Sequence, residues 1–417
     1  MRTSKSGWYT ASTSRFYSAD LPRVFALFND PASWPVEQPQ RLIKTETNVR
    51  LGYSFANASR VDISFETIRA GLYRVNVVHE HLHNKDELTW AANYWNVLLE
   101  NIFSRLMCEP VIAATAYGKI NMFFRVGPLL ESGYHQVASL YQSVDLPETV
   151  VVEPASDWSV SAAGPIGQDH LDAVPTDAKN LVVKAAKALA KAAGIRRAMP
   201  IKFALHKTVP VAGGMGGGSA DAAAAILAVE KAWGLELSDQ VKFEAAAKIG
   251  ADVPFALVGG AAAGVGIGDE LRPVRQATEL HWVLVPNDFG LSTPKVYAEL
   301  DRLRSERGLY PRYVPQATIS LQLEAALAIG ASAEEIAPLL HNDLQEAAVS
   351  LRPELQTILD LHEQVYALTA IVSGSGPTVA MLARDAFDAI TIASRVRTYG
   401  YQAIVTSSPA RPAQLVN

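Results

Sequence analysis

The first hundred residues alternate apolar and polar positions over short segments and then change to a helical period. Residues 8–17 and four segments between residues 42 and 79 alternate in this way, which predicts successive strands joined by short turns. Residues 21–28 predict a short helix that ends before a proline. From residue 86 to residue 106 the apolar side chains recur at helical spacing, which predicts a long amphipathic helix. The pattern therefore predicts a small α+β domain over residues 1–107.

Beyond that domain, apolar strands alternate with longer helices, several of them rich in alanine. Residues 111–126 alternate as a bent strand pair, and residues 316–368 have a mostly helical pattern. A strand, a tight turn and a second strand follow at residues 372–382, and the tail beyond Ser408 is expected to be mobile. This part of the chain is predicted to form a second, larger α+β region.

A glycine-rich segment joins the apolar strand at residues 201–205 to an alanine-rich helix expected to begin at Ala220. Glycine adopts positive φ and lets a ligand approach the backbone, and the start of a helix directs unpaired N–H groups and the positive dipole end into the loop. Such a loop is an anion site, most often for phosphate. A flexible linker is the alternative, but linkers are not usually bounded by an apolar strand and helix. The candidate phosphate-binding residues are Pro210, Val211, Ala212, Gly213, Gly214, Met215, Gly216, Gly217, Gly218, Ser219 and Ala220.

Composition and charge narrow the classes of function. A net charge of −5 argues against a nucleic-acid partner, which usually requires a basic face. The single cysteine, Cys108, excludes a disulfide framework and fits a reducing compartment. The first residues include no apolar run long enough for a signal peptide or membrane span. We therefore expect a cytoplasmic protein that acts on a small molecule, without a nucleic-acid or membrane partner.

Two groups of polar residues allow more than one interpretation. His79, His81 and His83 would share one face of a strand at intervals of about 7 Å, as a metal site or, as we favour, a solvated strand face. Asp252 comes at the end of a predicted helix, just before Val253 and Pro254. A carboxylate in that apolar junction is either a turn or cap residue or a base.

Several segments accompany the glycine loop in a fixed order. Lys119-Ile-Asn121 lies in the strand pair at residues 111–126, Gly133-Tyr-His135 follows it, and Val372-Ser-Gly-Ser-Gly-Pro-Thr378 comes near the end. With Gly216-Gly-Gly-Ser-Ala-Asp221, these segments resemble the GHMP kinases. The triple glycine and the Gly-Tyr-His segment resemble the branch of that superfamily that acts on CDP-methylerythritol in the non-mevalonate isoprenoid pathway.

The resemblance implies a two-lobed α+β kinase fold, with an ATP-binding lobe at residues 111–275 and a second lobe at residues 276–408. It implies transfer of the γ-phosphoryl group of ATP to the 2-hydroxyl of the erythritol unit, with Mg²⁺ held mostly by phosphate oxygens and water. Asp252 would accept or orient the hydroxyl proton, and Lys119 would lie close to it. The resemblance also implies ligand contacts for a further set of residues: Asn180 near the adenine, and Asn121, Tyr134, His135 and Tyr297 at the substrate.

A second, weaker resemblance concerns residues 1–107. The order of elements there, and the stretch at residues 24–34, resemble the SRPBCC or helix-grip fold, whose role in this chain the sequence does not indicate. Two other functions stay open: another GHMP kinase of mevalonate or homoserine type, and a non-catalytic ligand-binding or regulatory protein. The sequence also leaves open whether the chain is a monomer or a homodimer.

Overall fold

The computed structural model describes residues 2–3, 8–17, 20–34, 38–69, 72–107, 112–268, 270–309 and 313–416. The chain divides into two units, Met1–Pro110 and Val111–Asn417, and each has hydrophobic clusters of its own. The predicted boundary after residue 107 falls at residues 108–111, which lie outside the described residues. Within the described ranges, no helix combines the length and the apolar character that crossing a membrane requires.

The first unit is a six-stranded antiparallel sheet with a long helix packed on it. The strand order is β1-β2-β6-β5-β4-β3, in which β3 to β6 are the successive strands that the alternating pattern predicts and β2 pairs with β6. Aromatic side chains such as Trp34 and Trp95 fill the space between the sheet and the helix. The elements are β1 (Arg2–Thr3), β2 (Tyr9–Tyr17), α1 (Leu21–Phe28), a 3-10 turn (Pro31–Ser33), β3 (Arg41–Glu46), β4 (Arg50–Ser54), β5 (Arg60–Arg69), β6 (Leu72–Leu82) and α2 (Lys85–Met107).

The three histidines of this unit do not share a solvated face, so that prediction is wrong for His79. His81 has a φ of 62°, and the pairing register between β2 and β6 shifts at this point. The shift turns Leu82 inward and leaves His81 and His83 exposed, whereas His79 is fully buried. The indole N–H of Trp95 donates to Nδ1 of His79 at 3.0 Å, and Nε2 lies 2.7 Å from the Ser59 hydroxyl. Burial lowers the pKa of His79 to about 4.

The second unit has two sheets with helices packed against them. Its elements are β7 (Ile112–Leu129), β8 (His135–Pro154), β9 (Ser159–Ala163), α3 (Gln168–Asp172), α4 (Leu181–Ala192), β10 (Ile201–His206), α5 (Gly217–Ala232), α6 (Asp239–Ala247), α7 (Asp252–Val258), β11 (Ala261–Val265), β12 (Glu270–Val274), β13 (Leu280–Val285), α8 (Thr293–Glu306), α9 (Leu321–Ile329), α10 (Ala333–Ile336), a 3-10 turn (Ala337–Leu339), β14 (His341–Asn342), α11 (Gln345–Leu351), α12 (Glu354–Val365), β15 (Thr369–Val372), β16 (Val379–Ala383), α13 (Ala386–Thr398), β17 (Ile404–Ser408) and β18 (Gln414–Val416).

The first of these sheets is built around the two long strands β7 and β8, which pair antiparallel over most of their length. On one side β8 pairs with β10 and β11, and these continue to β9 and β12. Helices α4 and α5 pack on this sheet through alanine and valine side chains, whose small size lets most of α5 lie buried close to the strands. The second sheet has the order β15-β16-β13-β17, with α12 and α13 in its core.

Two expectations for the second half of the chain are wrong. The tail beyond Ser408 is not free, because β18 pairs with Ala113–Thr115 of β7 and Ala410 exchanges hydrogen bonds with Ser143 and Gly260. His341–Asn342, expected within a helical stretch, is a short strand parallel to β7. Two strands from late in the chain, β14 and β18, therefore pair with β7, which is the first strand of the second unit.

Candidate active site

The glycine-rich segment is a tight loop between β10 and α5. Ala212, Gly214 and Gly216 have φ values of 58°, 76° and 69°, which is the left-handed region that the glycine content predicts. Helix α5 begins at Gly217 rather than at the expected Ala220, and no side chain caps it. Its first N–H groups are therefore available to an anion in the loop.

The loop forms most of the wall of a cavity of about 340 Å³, which we call the loop cleft. Asn180 also lines this cleft, and it caps α4 by accepting from the Val182 N–H at 3.0 Å. Its amide also donates to the Pro175 carbonyl at 2.7 Å. The predicted residue Asn180 thus lines the cleft with a side chain held in a fixed orientation.

A second cavity, of about 330 Å³, opens on the other side of the loop and contains both predicted catalytic residues; we call it the acceptor cleft. Lys119 is nearly buried in β7, and its Nζ lies 3.6 Å from Oδ2 of Asp252. Asp252 is in the first turn of α7, so it begins this helix and does not end the preceding one as expected. Gly214, Gly216 and Ser219 line both cavities. Lys119 and Asp252 therefore line the acceptor cleft, and Lys119 is bonded to Gly214, a loop residue that both clefts share.

Lys119 is held from three sides. Its ammonium donates to Oδ1 of Asn121 at 2.9 Å and to the Gly214 carbonyl at 3.0 Å. Asn121 in turn donates to the Ser139 hydroxyl at 2.7 Å, so both ends of its side chain are engaged. An ideal Cβ on Gly216 would lie 3.1 Å from Cγ of Lys119, which shows how closely the loop passes the lysine.

The predicted aromatic residues are brought together only in part. Tyr297 lines the acceptor cleft, and the His135 ring stacks on it with centroids 5.2 Å apart. Nε2 of His135 lies 3.0 Å from Oδ1 of Asp301, a residue that the sequence analysis did not select. Tyr134 is 64% exposed and does not line either cleft, so the structure does not bring it to the site.

The Gly-Ser-Gly turn after β15 closes the acceptor cleft from the second sheet. The side-chain amide of Asn342 donates to the carbonyls of Val372 and Gly374, both at 2.7 Å. An ideal Cβ on Gly374 would lie 3.0 Å from Oδ1 of Asn121. Asn342 of β14 therefore fixes this turn against the strand that carries Lys119, a role that nothing in the local sequence signals.

A buried charged cluster lies beneath the loop and was also missed. Nζ of Lys207 is 2.5 Å from Oδ2 of Asp221 and 3.0 Å from Oε2 of Glu148. Lys207 and Asp221 flank the loop in sequence, which could have signalled a pair, but Glu148 belongs to β8 and gives no such signal. In the part of the chain that the structure describes, no group of three or more His, Cys, Asp or Glu residues is arranged to hold a metal ion.

Comparisons with known proteins agree with this architecture. Residues 180–260 match the GHMP kinases N terminal domain, and residues 323–402 match the GHMP kinases C terminal domain. A 4-diphosphocytidyl-2-C-methyl-D-erythritol kinase of Leifsonia xyli is 44% identical over 306 residues, which are 72% of this chain and 97% of that protein. The enzyme of that name from Clavibacter michiganensis is 43% identical over 73% of this chain and 96% of its own length.

Solved structures agree with the sequence relatives. A 4-(cytidine 5'-diphospho)-2C-methyl-D-erythritol kinase superposes with a TM-score of 0.56 at 28% identity, over 72% of this chain and 99% of that one. A mevalonate kinase from L. major has the same fold, with a TM-score of 0.57 at 16% identity over 72% of this chain and 96% of that one. The fold, the glycine loop and the domain matches define an ATP-dependent small-molecule kinase of the GHMP class. Within this class, the chain belongs to the 4-diphosphocytidyl-2-C-methyl-D-erythritol kinase family.

Proposed function

We propose that the protein transfers the γ-phosphoryl group of ATP to the 2-hydroxyl of CDP-methylerythritol. The relatives named above support the substrate. The observation that carries the reaction is the Lys119 and Asp252 pair in the acceptor cleft, beside Gly214, which lines both clefts. A phosphoryl donor in the loop cleft and a hydroxyl acceptor in the acceptor cleft would meet beside this pair.

The loop is proposed to bind the phosphates of ATP. Phosphoryl transfer needs alignment and charge stabilisation more than covalent chemistry. The N–H groups from Gly213 to Ser219 and the dipole of α5 supply positive potential without a side chain in the way. Asn180 is proposed to face the adenine, because it lines the same cleft outside the loop.

Asp252 is proposed to accept or orient the proton of the acceptor hydroxyl. The side chain is partly exposed in the acceptor cleft, where a substrate can reach it. Lys119 stands between Asp252 and the Gly214 carbonyl and is proposed to stabilise the transferred group. The bonds that Asn121 and Gly214 accept from Lys119 keep the ammonium aimed at this point.

Mg²⁺ is proposed to enter with ATP and to neutralise charge on its phosphates. The cation would be held mostly by phosphate oxygens and water, which are ligands that Mg²⁺ commonly keeps in kinase sites. The cytidine end of the substrate is proposed to contact Tyr297 and His135, with Asn121 as a further candidate, whereas Tyr134 lines neither cleft. The stack of His135 on Tyr297 beside the acceptor cleft supports the first two.

The first unit is proposed to be a helix-grip domain. Its antiparallel sheet, its short helix α1 between the first strands and its long C-terminal helix α2 support this assignment. A cytoplasmic location and the choice between monomer and homodimer stay predictions from the sequence.

ADP release tests the proposed function. The full chain is incubated with ATP and Mg²⁺ and, in separate reactions, with CDP-methylerythritol, mevalonate or homoserine. We expect turnover with the cytidine-linked polyol and little with the two small acids, which have no base for Tyr297 and His135 to contact. Preferential turnover of mevalonate or homoserine would contradict the proposal, and no turnover with any acceptor would favour a non-catalytic role.

A further inference from the structure

The cluster of Glu148, Lys207 and Asp221 lies beneath the phosphate loop, and the proposed mechanism does not use it. All three side chains are 5% exposed or less. Glu148 accepts from the Val209 N–H at 2.8 Å, and an ideal Cβ on Gly217 would lie 3.4 Å from the same oxygen. Lys207 and Asp221 also line the loop cleft. The cluster is therefore directly under the first turn of α5.

The charges and hydrogen bonds of this cluster do not balance if both carboxyl groups are ionised. One ammonium would then face two carboxylates, which leaves a net negative charge under a loop that is built for anions. Lys207 donates to Oδ2 of Asp221, and Oε1 of Glu148 accepts from Val209. Among the described residues, nothing donates a hydrogen bond to Oδ1 of Asp221, and Oε2 of Glu148 has the Lys207 ammonium 3.0 Å away but not in hydrogen-bond geometry. Unsatisfied buried carboxylate oxygens are costly.

We propose that Glu148 and Asp221 share one proton at neutral pH, so that the cluster is neutral when the loop binds a triphosphate. The proton lets Glu148 donate to Asp221 while it still accepts from Val209. Glu148 is then a positioning residue, which supports the loop through Val209 without adding negative charge below the phosphates. The inference rests on the proposed function only in taking ATP as the ligand of the loop.

The surroundings of Glu148 favour this state. Burial and the neighbouring Asp221 together raise the pKa of Glu148 to about 8, although Lys207 and the Val209 N–H oppose the shift. Burial likewise raises the pKa of Asp221. The strand β7 brings Ala116 opposite Glu148, and the nearest titratable residue of β10, His206, is exposed. The titratable groups that face Glu148 are thus Lys207, which directly follows β10, and Asp221 of α5.

ATP affinity should therefore depend on pH. Above pH 8 the free protein loses the shared proton, and the resulting negative charge repels the phosphates across a short, poorly screened distance. A bound triphosphate raises the pKa of the Glu148 and Asp221 pair. The dissociation constant of ATP therefore rises with pH between the pKa of the free protein and the higher pKa of the complex. We expect a rise on the order of tenfold between pH 7 and pH 9.5.

Calorimetric titration of the full chain with ATP, at intervals over this pH range, measures the effect. Glu148→Gln should bind within about threefold of the wild type at pH 7 and show no rise, because the amide donates to Asp221 and accepts from Val209 as the protonated acid does. Asp221→Asn should also abolish the rise, because one carboxylate is balanced by Lys207. Glu153→Gln, at an exposed position of the same strand, is the matched control and should follow the wild type.

Infrared spectroscopy tests the proton itself without any ligand. The carbonyl stretch of a protonated carboxylic acid should be present in the wild type at pH 7 and absent in Glu148→Gln. A flat wild-type binding profile, an unchanged slope in Glu148→Gln or the absence of the infrared band would overturn the inference. Failure to bind ATP at every pH would instead refute the proposed function, and the infrared result would still decide the protonation state.

Discussion

Gly214 has the closest backbone neighbours of any glycine in the loop. Replacing it with alanine should push the loop away from the Gly-Ser-Gly turn against which it packs. Its φ is 76°, and an ideal Cβ would lie 2.7 Å from the Gly376 carbonyl oxygen and 2.8 Å from that of Ser373. Gly218 of the same segment offers a matched control. It is helical, and a Cβ there would meet only Cδ1 of Leu181, at 3.4 Å.

The two substitutions differ in expected magnitude although the added methyl group is the same. At Gly214 the left-handed backbone costs about 1–2 kcal/mol with a Cβ present. The clash also requires the loop or the Gly-Ser-Gly turn to retreat by about 0.7 Å, the gap between 2.7 Å and an ordinary contact of 3.4 Å. A displacement of this size at a site of phosphoryl transfer costs on the order of 10²-fold in rate. Gly218→Ala should leave the rate within about twofold and raise stability by up to about 1 kcal/mol.

Steady-state ADP release and thermal unfolding of the full chain measure both effects. We expect Gly214→Ala to lower kcat/KM for ATP about a hundredfold and the Tm by a few degrees. Wild-type kinetics in Gly214→Ala would show that the loop does not depend on its contact with the turn. Equal damage from Gly218→Ala would show that any methyl group in the segment is harmful and that the backbone argument is wrong.

Three further predictions concern other parts of the chain. Asp252→Asn should lower kcat about 10²–10⁴-fold and change ATP affinity only a few-fold, whereas a near-normal kcat would remove Asp252 from the mechanism. Because the pKa of His79 is about 4 in the folded state and 6.5 in the unfolded chain, the first unit should lose about 3 kcal/mol of stability as the pH falls from 6.5 to 4. Histidine NMR would contradict this if His79 titrated near pH 6.5. A chain without residues 1–110 should fold and retain most of its kinase activity, since the second unit has its own core. An insoluble or inactive product would show that the first unit supports the kinase.

Local patterns were sufficient for much of the fold and for the loop. The alternating segments and the helical period of the first unit need only neighbouring residues to be recognised, and α1 and α2 lie where the pattern places them. The glycine loop was likewise visible, because positive φ and a helix start are both encoded within a few residues. The pairing of Lys119 with Asp252 came from the resemblance to a family, since no local pattern relates residues so distant in sequence.

What the sequence did not indicate depends on contacts between distant segments. The burial of His79 follows from a register shift at His81, a non-glycine residue in the left-handed region. Glu148 belongs to the cluster only because β8 passes beneath the loop. Register shifts and contacts between distant strands change the sheet face on which a side chain lies, or the residue that it contacts, without any change in the local sequence.

The pairing of β18 with β7 has a consequence for how the protein folds during synthesis. β18, which pairs with Ala113–Thr115 of β7, is synthesised about 300 residues after β7. Roughly 15–60 s of translation therefore pass before this edge of β7 can be covered. The first unit has no such delay, because its six strands and its long helix are all made within the first 107 residues. A nascent chain should therefore carry a finished domain beside an open, apolar strand, which is the kind of edge that chaperones shield from aggregation.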